Sequence, residues 1–165
     1  MKTIIVYYSL DGNTKRAAKE LAEKIGADTC EILPVKPLPS KGKPSFGTIM
    51  KGGGQVTFGI CPKLREFPLD LAAYDRIILG TPVWAGKCAA PVYSFVRKYC
   101  PKHGLAERVT AAFTLSGSGD NSGCVVQLQK LLPNIREIVS LADGKSPLAQ
   151  ENSTKLARFA KQISE

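Results

Sequence analysis

The run Thr3-Ile4-Ile5-Val6-Tyr7-Tyr8 is apolar or β-branched at every position rather than at every second one. A strand with one face in water alternates, so an unbroken run marks a strand covered on both faces, as in a parallel sheet flanked by helices. Asp75 to Thr81 repeats the pattern in mid-chain through Ile77, Ile78 and Leu79. After the first run, Thr14 to Ile25 places Ala17, Ala18, Leu21, Ala22 and Ile25 at helical spacing, with Gly26 as a stop signal. The same logic predicts strands over Asp28 to Leu33, Val109 to Leu115 and about Ile135 to Leu141. It predicts helices over about Ala90 to Tyr99, Ser122 to Leu132 and Asn152 to Ile163. Strand and helix alternate five times, which implies a parallel sheet with helices on both faces and right-handed crossovers.

With 165 residues, 44% of them apolar, the chain is expected to form a single domain over residues 1–165 with a sizeable core. No apolar run reaches the roughly 18 residues of a membrane span, and the stretch from Thr3 to Tyr8 is too short for a signal peptide. Five scattered cysteines without a C-x-x-C pair suggest neither a disulfide framework nor a metal site, so a cytoplasmic location is expected. His103 is the only histidine and sits in an exposed-looking stretch, which speaks against a Ser-His or Cys-His catalytic machine. Residues 34 to 68 are rich in Pro, Gly and Lys and read as a long crossover with at most a short helix near Ser45 to Lys51; loops of that length are usually functional.

In a doubly wound sheet, ligands bind beyond the carboxyl ends of the strands. Three loops there are distinctive. Ser9-Leu10-Asp11-Gly12-Asn13-Thr14 leaves a buried strand for a helix start, offering hydroxyls and unpaired backbone N–H groups suited to phosphate, or an ordinary helix cap. Gly80-Thr81-Pro82-Val83-Trp84-Ala85-Gly86 puts the only tryptophan beside turn residues, where a loop platform for a flat ring is favoured over a core position. Ser116 to Asn121 is rich in glycine and hydroxyls and can let its backbone approach a ligand. The lysine of a nucleotide-binding G-x-x-x-x-G-K-[ST] loop and the G-x-G-x-x-G of a dinucleotide fold are both missing. Thr81 stands where a receiver domain has its phosphoacceptor Asp, and no cysteine lies in the first loop as in a low-molecular-weight phosphatase.

The constellation resembles the flavodoxin family over nearly the whole chain. Ser9 to Thr14 matches that family's [ST]-x-[TD]-G-N-T phosphate loop, and Gly80 to Trp84 matches the G-T-P-V-W of shorter bacterial flavodoxin-like proteins. The resemblance implies a flavodoxin-like doubly wound sheet of five parallel strands in the order 2-1-3-4-5, sandwiched as α/β/α, with FMN as cofactor. It implies that Ser9, Asp11, Gly12, Asn13 and Thr14 hold the FMN phosphate. Thr81, Pro82, Val83, Trp84 and Gly86 would line the isoalloxazine, and Ser116, Gly117, Ser118 and Gly119 would close its other side. Asp11 departs from the usual hydroxyl residue, and a carboxylate repels a phosphate dianion unless it turns to cap backbone N–H groups.

The formal charge of +9 is concentrated in two segments. Residues 34 to 65 carry six basic side chains and no acid, and residues 87 to 108 carry five against Glu107. Neither segment has the aromatic spacing of a base-stacking platform, so a nucleic-acid partner is not expected. The reading is an FMN protein that mediates electron transfer, with an acidic redox partner steered to a basic flavin rim. The alternative is an FMN-dependent NAD(P)H:quinone-type oxidoreductase, with the Gly-rich segment 45 to 60 forming one wall of its pocket. Cys88, two residues past Gly86, reads as a small buried filler.

Overall fold

The computed structural model describes residues 1–36 and 61–164. The expected short helix near Ser45 to Lys51 and the wall formed by segment 45 to 60 lie outside the described residues. Along the chain run β1 (Thr3–Tyr7), α1 (Asn13–Ile25), β2 (Asp28–Glu31), β3 (Arg76–Trp84) and β4 (Lys87–Cys88). Next come α2 (Ala90–Ser94), a π-helical turn (Phe95–Tyr99), α3 (Cys100–Lys102), β5 (Val109–Ser116), α4 (Ser122–Leu131), β6 (Glu137–Ala142) and α5 (Asn152–Gln162).

The main strands lie in the order β2-β1-β3-β5-β6, every neighbour parallel. That is the doubly wound, flavodoxin-like order expected from the sequence, except for β4. This sixth strand of two residues folds back antiparallel on the end of β3, with Cys88 opposite Val83 and Lys87 opposite Trp84. Pro82 and Gly86 suggested that β3 ends at Thr81; instead it continues to Trp84 and reverses through Ala85 and Gly86. Both turn residues have positive φ, 49° and 74°, the two-residue geometry that suits the right-handed twist of a hairpin. Most other boundaries agree within one residue, and two strands differ by two. β2 stops at Glu31 rather than Leu33, although Ile32 N still donates to Tyr7 O, and β6 begins at Glu137 rather than about Ile135. The expected helix from Ala90 to Tyr99 reaches Lys102 through its π-helical turn.

The continuous apolar runs are explained by two cores. Ile4, Val6, Ile77, Leu79 and Ala112 face one side, where they meet Val92, Phe95 and Leu128 of the helices after β4 and β5. Ile5, Tyr7, Ile78 and Phe113 face the other, packed by Ala18 and Leu21 of α1 and Leu156 and Phe159 of α5. Gly80 sits between Tyr7 of β1 and Phe113 of β5: a Cβ there would lie 2.3 Å from Phe113 Cζ and 2.8 Å from Tyr7 Cβ. The two ends of the long β2–β3 connection are tied by Val35 N to Lys63 O at 2.8 Å and Arg65 N to Leu33 O at 2.7 Å. Among the described residues no helix is long and apolar enough to cross a membrane. Because the strands are parallel, the carboxyl ends of β1, β3, β5 and β6 share one edge of the sheet, and the loops leaving them face each other.

Candidate functional site

A cleft opens at that edge. Asp11, Asn13 and Thr14 from the start of α1 line it together with Pro82, Val83 and Trp84 from β3 and with Ser116 and Gly117 from the end of β5. The structure thus brings together residues from all three expected loops. Ser9, Gly12, Thr81, Gly86, Ser118 and Gly119 do not line it. Leu10, Leu115 and Asp143 do, although nothing singled them out in the sequence. The signal for Asp143 was its position: it directly follows β6, one more carboxyl end on the same edge.

Several non-lining residues shape the loops instead. Ser9 Oγ accepts from Gly12 N at 3.1 Å and Lys15 N at 3.2 Å, so it folds the loop and caps the first turn of α1. Gly12 precedes the helix with φ 91°, a conformation that favours glycine. Thr81 is fully buried; its hydroxyl donates to Pro82 O at 2.8 Å and accepts from Ala89 N at 3.1 Å, which anchors the hairpin. Gly86 carries the hairpin turn, and its carbonyl lies so near Gly123 that a Cβ there would meet it at 2.8 Å. Ser118 accepts from Asp120 N at 3.3 Å within the third loop, and Gly119 turns that loop with φ 74°.

Trp84 differs from expectation. It lies on a strand rather than a loop, is 4% exposed, and meets Tyr8 edge to face with ring centroids 5.7 Å apart. It is a core residue with one border on the cleft. Burial, with Glu31 beside it, pushes the Tyr8 phenol up to about 12, so this partner stays neutral.

The α1 end of the cleft is defined by Asn13. Its side-chain Nδ2 donates to Asp11 Oδ2 at 2.9 Å and to Asp143 Oδ1 at 2.8 Å, and its backbone N–H donates to Asp11 Oδ1 at 3.2 Å. Asp11 therefore does turn to cap the helix start. Both amide hydrogens of Asn13 are spent on carboxylates and cannot serve a phosphate in this arrangement. Thr14 can. It is 1% exposed and lines the cleft, and neither its hydroxyl nor its backbone N–H has a hydrogen-bond partner among the described residues. An unpaired donor set at the positive end of a helix is the chemistry of an anion site. A flavin phosphate fits these donors, and its ring fits the apolar wall of Pro82, Val83 and Trp84.

The only charged residues lining the cleft, among those described, are Asp11 and Asp143. The two basic segments instead contribute Lys63, Lys98, Lys102 and His103 to a separate groove that shares no residue with it. The basic flavin rim expected from the sequence is thus not among the described lining residues.

Cys88 is fully buried, and burial raises its thiol well above the usual range; Cys100 and Cys124 are pushed up to about 12 for the same reason. Cys30 is buried and raised as well, whereas Cys61 is half-buried. A thiol-reactive disulfide reagent at pH 8 is therefore expected to consume at most the Cys61 thiol of the native protein within minutes, and all five after unfolding. Rapid native loss of more than one equivalent would contradict the packing around these residues.

The family described as NADPH-dependent FMN reductase matches residues 1–153 of the chain. Among solved structures, a protein of Bacteroides eggerthii DSM 20697 aligns with a TM-score of 0.74 at 19% identity, covering 99% of this chain and 98% of that one. A Lactobacillus acidophilus NCFM flavoprotein solved in complex with FMN gives 0.66 at 21%, covering 86% and 93%. A flavodoxin, WrbA-like protein from Agrobacterium tumefaciens gives 0.60 at 22%, covering 99% and 97%. These structures share the fold.

Proposed function

The chain belongs to the NADPH-dependent FMN reductase family, and we propose from that premise that it is an FMN-dependent oxidoreductase that draws electrons from NADPH and passes them to a small acceptor. When bound, FMN supplies the redox chemistry, accepting hydride and returning two electrons, while the protein sets its orientation and exposure.

In this reading Thr14 donates its hydroxyl and backbone N–H to the phosphate, assisted by the positive end of α1. Ser9 and Gly12 keep that turn in shape, and the edge of Trp84 with Pro82 and Val83 forms the wall for the ring. The observation that carries the proposal is the opposite wall. Among the described residues it consists of Leu115, Ser116 and Gly117, and Ser116 to Gly123 contains no aromatic residue to cover a ring. An uncovered face can receive a nicotinamide and then an acceptor, whereas a protein-to-protein carrier needs only an exposed edge. Among the described lining residues Asp11 and Asp143 are both held by Asn13, and in this reading protons for the acceptor come from water.

Two measurements test this. Adding FMN to the purified chain is expected to perturb the visible flavin bands, and their persistence unchanged rejects the flavin reading. With FMN bound, NADPH is expected to be consumed steadily in the presence of a quinone. Flavin binding with almost no NADPH oxidation would return the protein to the electron-carrier reading.

A further inference from the structure

The groove that shares no residue with the cleft has two walls. Lys63 stands on one, and Lys98, Tyr99, Lys102 and His103 stand on the other, around a volume of about 270 Å³. Both walls are held in place. Ser94, buried at the end of α2, donates its hydroxyl to Pro62 O at 2.7 Å, and Lys63 O accepts from Val35 N at 2.8 Å. Three lysines thus meet with no acid among the lining residues, and none of the three forms an ion pair among the described residues. Glu66 and Asp70 follow Lys63 along the chain but do not line the groove. Asp70 acts on the Tyr99 phenol, which burial first and then this carboxylate raise above its ordinary value, so that it stays neutral. Lys98 and Lys102 are four residues apart on one helical stretch, where like charges repel until an anion comes between them.

Aromatic rings supply the other half of the site. Phe95, Tyr99 and His103 recur every fourth residue and form a column. The first two rings lie 5.5 Å apart at 18°, and the second two 4.2 Å apart at 26°. The column rises from fully buried Phe95 to exposed His103, so its outer end is an imidazole in the same groove as the three lysines.

We propose that this groove is a second binding site, for a nucleoside polyphosphate, with the base stacked on the aromatic column at His103 and the phosphates held by Lys63, Lys98 and Lys102. Ammonium groups give phosphate oxygens charge-assisted hydrogen bonds, and a flat base extends a stack of rings without base-specific contacts. A lone phosphate would leave the column unused, and an acidic peptide would bring no flat ring to it. The volume is near the lower end for small-molecule sites, so part of the ligand stays in water. Because the groove and the cleft have no residue in common, both can be filled at once, and the proposal does not depend on the flavin reading.

Calorimetric titration of the full chain with ATP, inorganic triphosphate and adenosine separates ring from charge. One ATP per chain is expected, bound about tenfold more tightly than triphosphate, the gain from one stacked base. Adenosine alone is expected to bind more weakly than either. Lys98→Gln and Lys102→Gln are each expected to weaken ATP and triphosphate about tenfold, through loss of a charge-assisted contact. His103→Ala is expected to weaken ATP about tenfold and to leave triphosphate within twofold, a split that general damage to the fold would not produce. FMN titrations of the same variants are expected to match the parent chain.

The proposal is overturned if ATP does not bind, if triphosphate binds as tightly as ATP, or if the three substitutions leave the ATP constant unchanged. Loss of ATP binding in the presence of excess FMN would place the nucleotide in the cleft and overturn it as well. Binding of an oligoglutamate peptide without binding of ATP would replace it with a docking surface for an acidic partner.

Discussion

Replacing Asn121 by Asp is expected to cost about 3–5 kcal/mol of folding stability, the penalty of a buried carboxylate left against other acceptors. Asn121 is 2% exposed, and its Nδ2 donates to Thr114 O of β5 at 3.0 Å and to Leu141 O of β6 at 3.2 Å. It joins two strands just below the third loop of the cleft. An aspartate brings oxygens to both carbonyls and has no donor to offer them unless it protonates. The Asn121 Oδ1 already has no partner among the described residues, so none of them compensates on the other side. Asn121→Leu, which leaves two carbonyls unsatisfied but introduces no charge, is expected to lose less, about 2 kcal/mol. Urea unfolding followed by circular dichroism reads both variants. A loss below 1 kcal/mol for the aspartate variant would show that the two carbonyls do not depend on this side chain.

Gly80→Ala is the second large effect. The added methyl would overlap the Phe113 ring at 2.3 Å and approach Tyr7 Cβ at 2.8 Å. Phe113 is fully buried and cannot swing into water, and Tyr7 Cβ is fixed to the backbone of β1. β3 would have to bend, although its Gly80 O accepts from Tyr8 N at 3.1 Å where β1 hands the chain to the first loop. Overpacking of a tight core costs about 1–3 kcal/mol, and the upper end applies here because two elements would have to move. Phe113→Leu in the same chain is expected to recover part of the loss, since contacting residues do not add independently. Equal unfolding midpoints for Gly80→Ala and the parent protein, or a double variant as weak as the sum of the singles, would contradict the geometry.

The sheet was legible because its central strands are buried on both faces, which leaves a simple mark: Ile4, Ile5 and Val6 alternate between two cores and must all be apolar. The parallel order followed from alternation and from the resemblance carried by Ser9 to Thr14. The hairpin β3–β4 was not legible, because Pro82 and Gly86 are turn signals in most contexts and Ala85 at φ 49° gives no sign of a left-handed residue. Trp84 was misplaced for the same reason, since a strand that runs two residues past a proline carries its indole back into the core. At the site, the resemblance to the flavodoxin phosphate loop implied a phosphate contact at Asn13, yet its amide is consumed by Asp11 and by Asp143. Only the fold reveals that second partner, because no local pattern connects positions 13 and 143.

That link across 130 residues also sets a schedule. During synthesis the ribosome releases β1, α1 and the Trp84 wall long before β6 and the segment that follows it. Until Asp143 docks, the start of α1 has one carboxylate instead of two and the cleft lacks one of its sides. Contacts this distant in sequence close late, after the local helices and the central strands have formed. The binding site is therefore complete only once β6 and the segment that follows it are in place, although its other described lining residues all precede β6, and a flavin need not be the seed around which the early strands gather. What it can do is retain the finished chain, because only a molecule that has brought its last strand home offers the complete cleft.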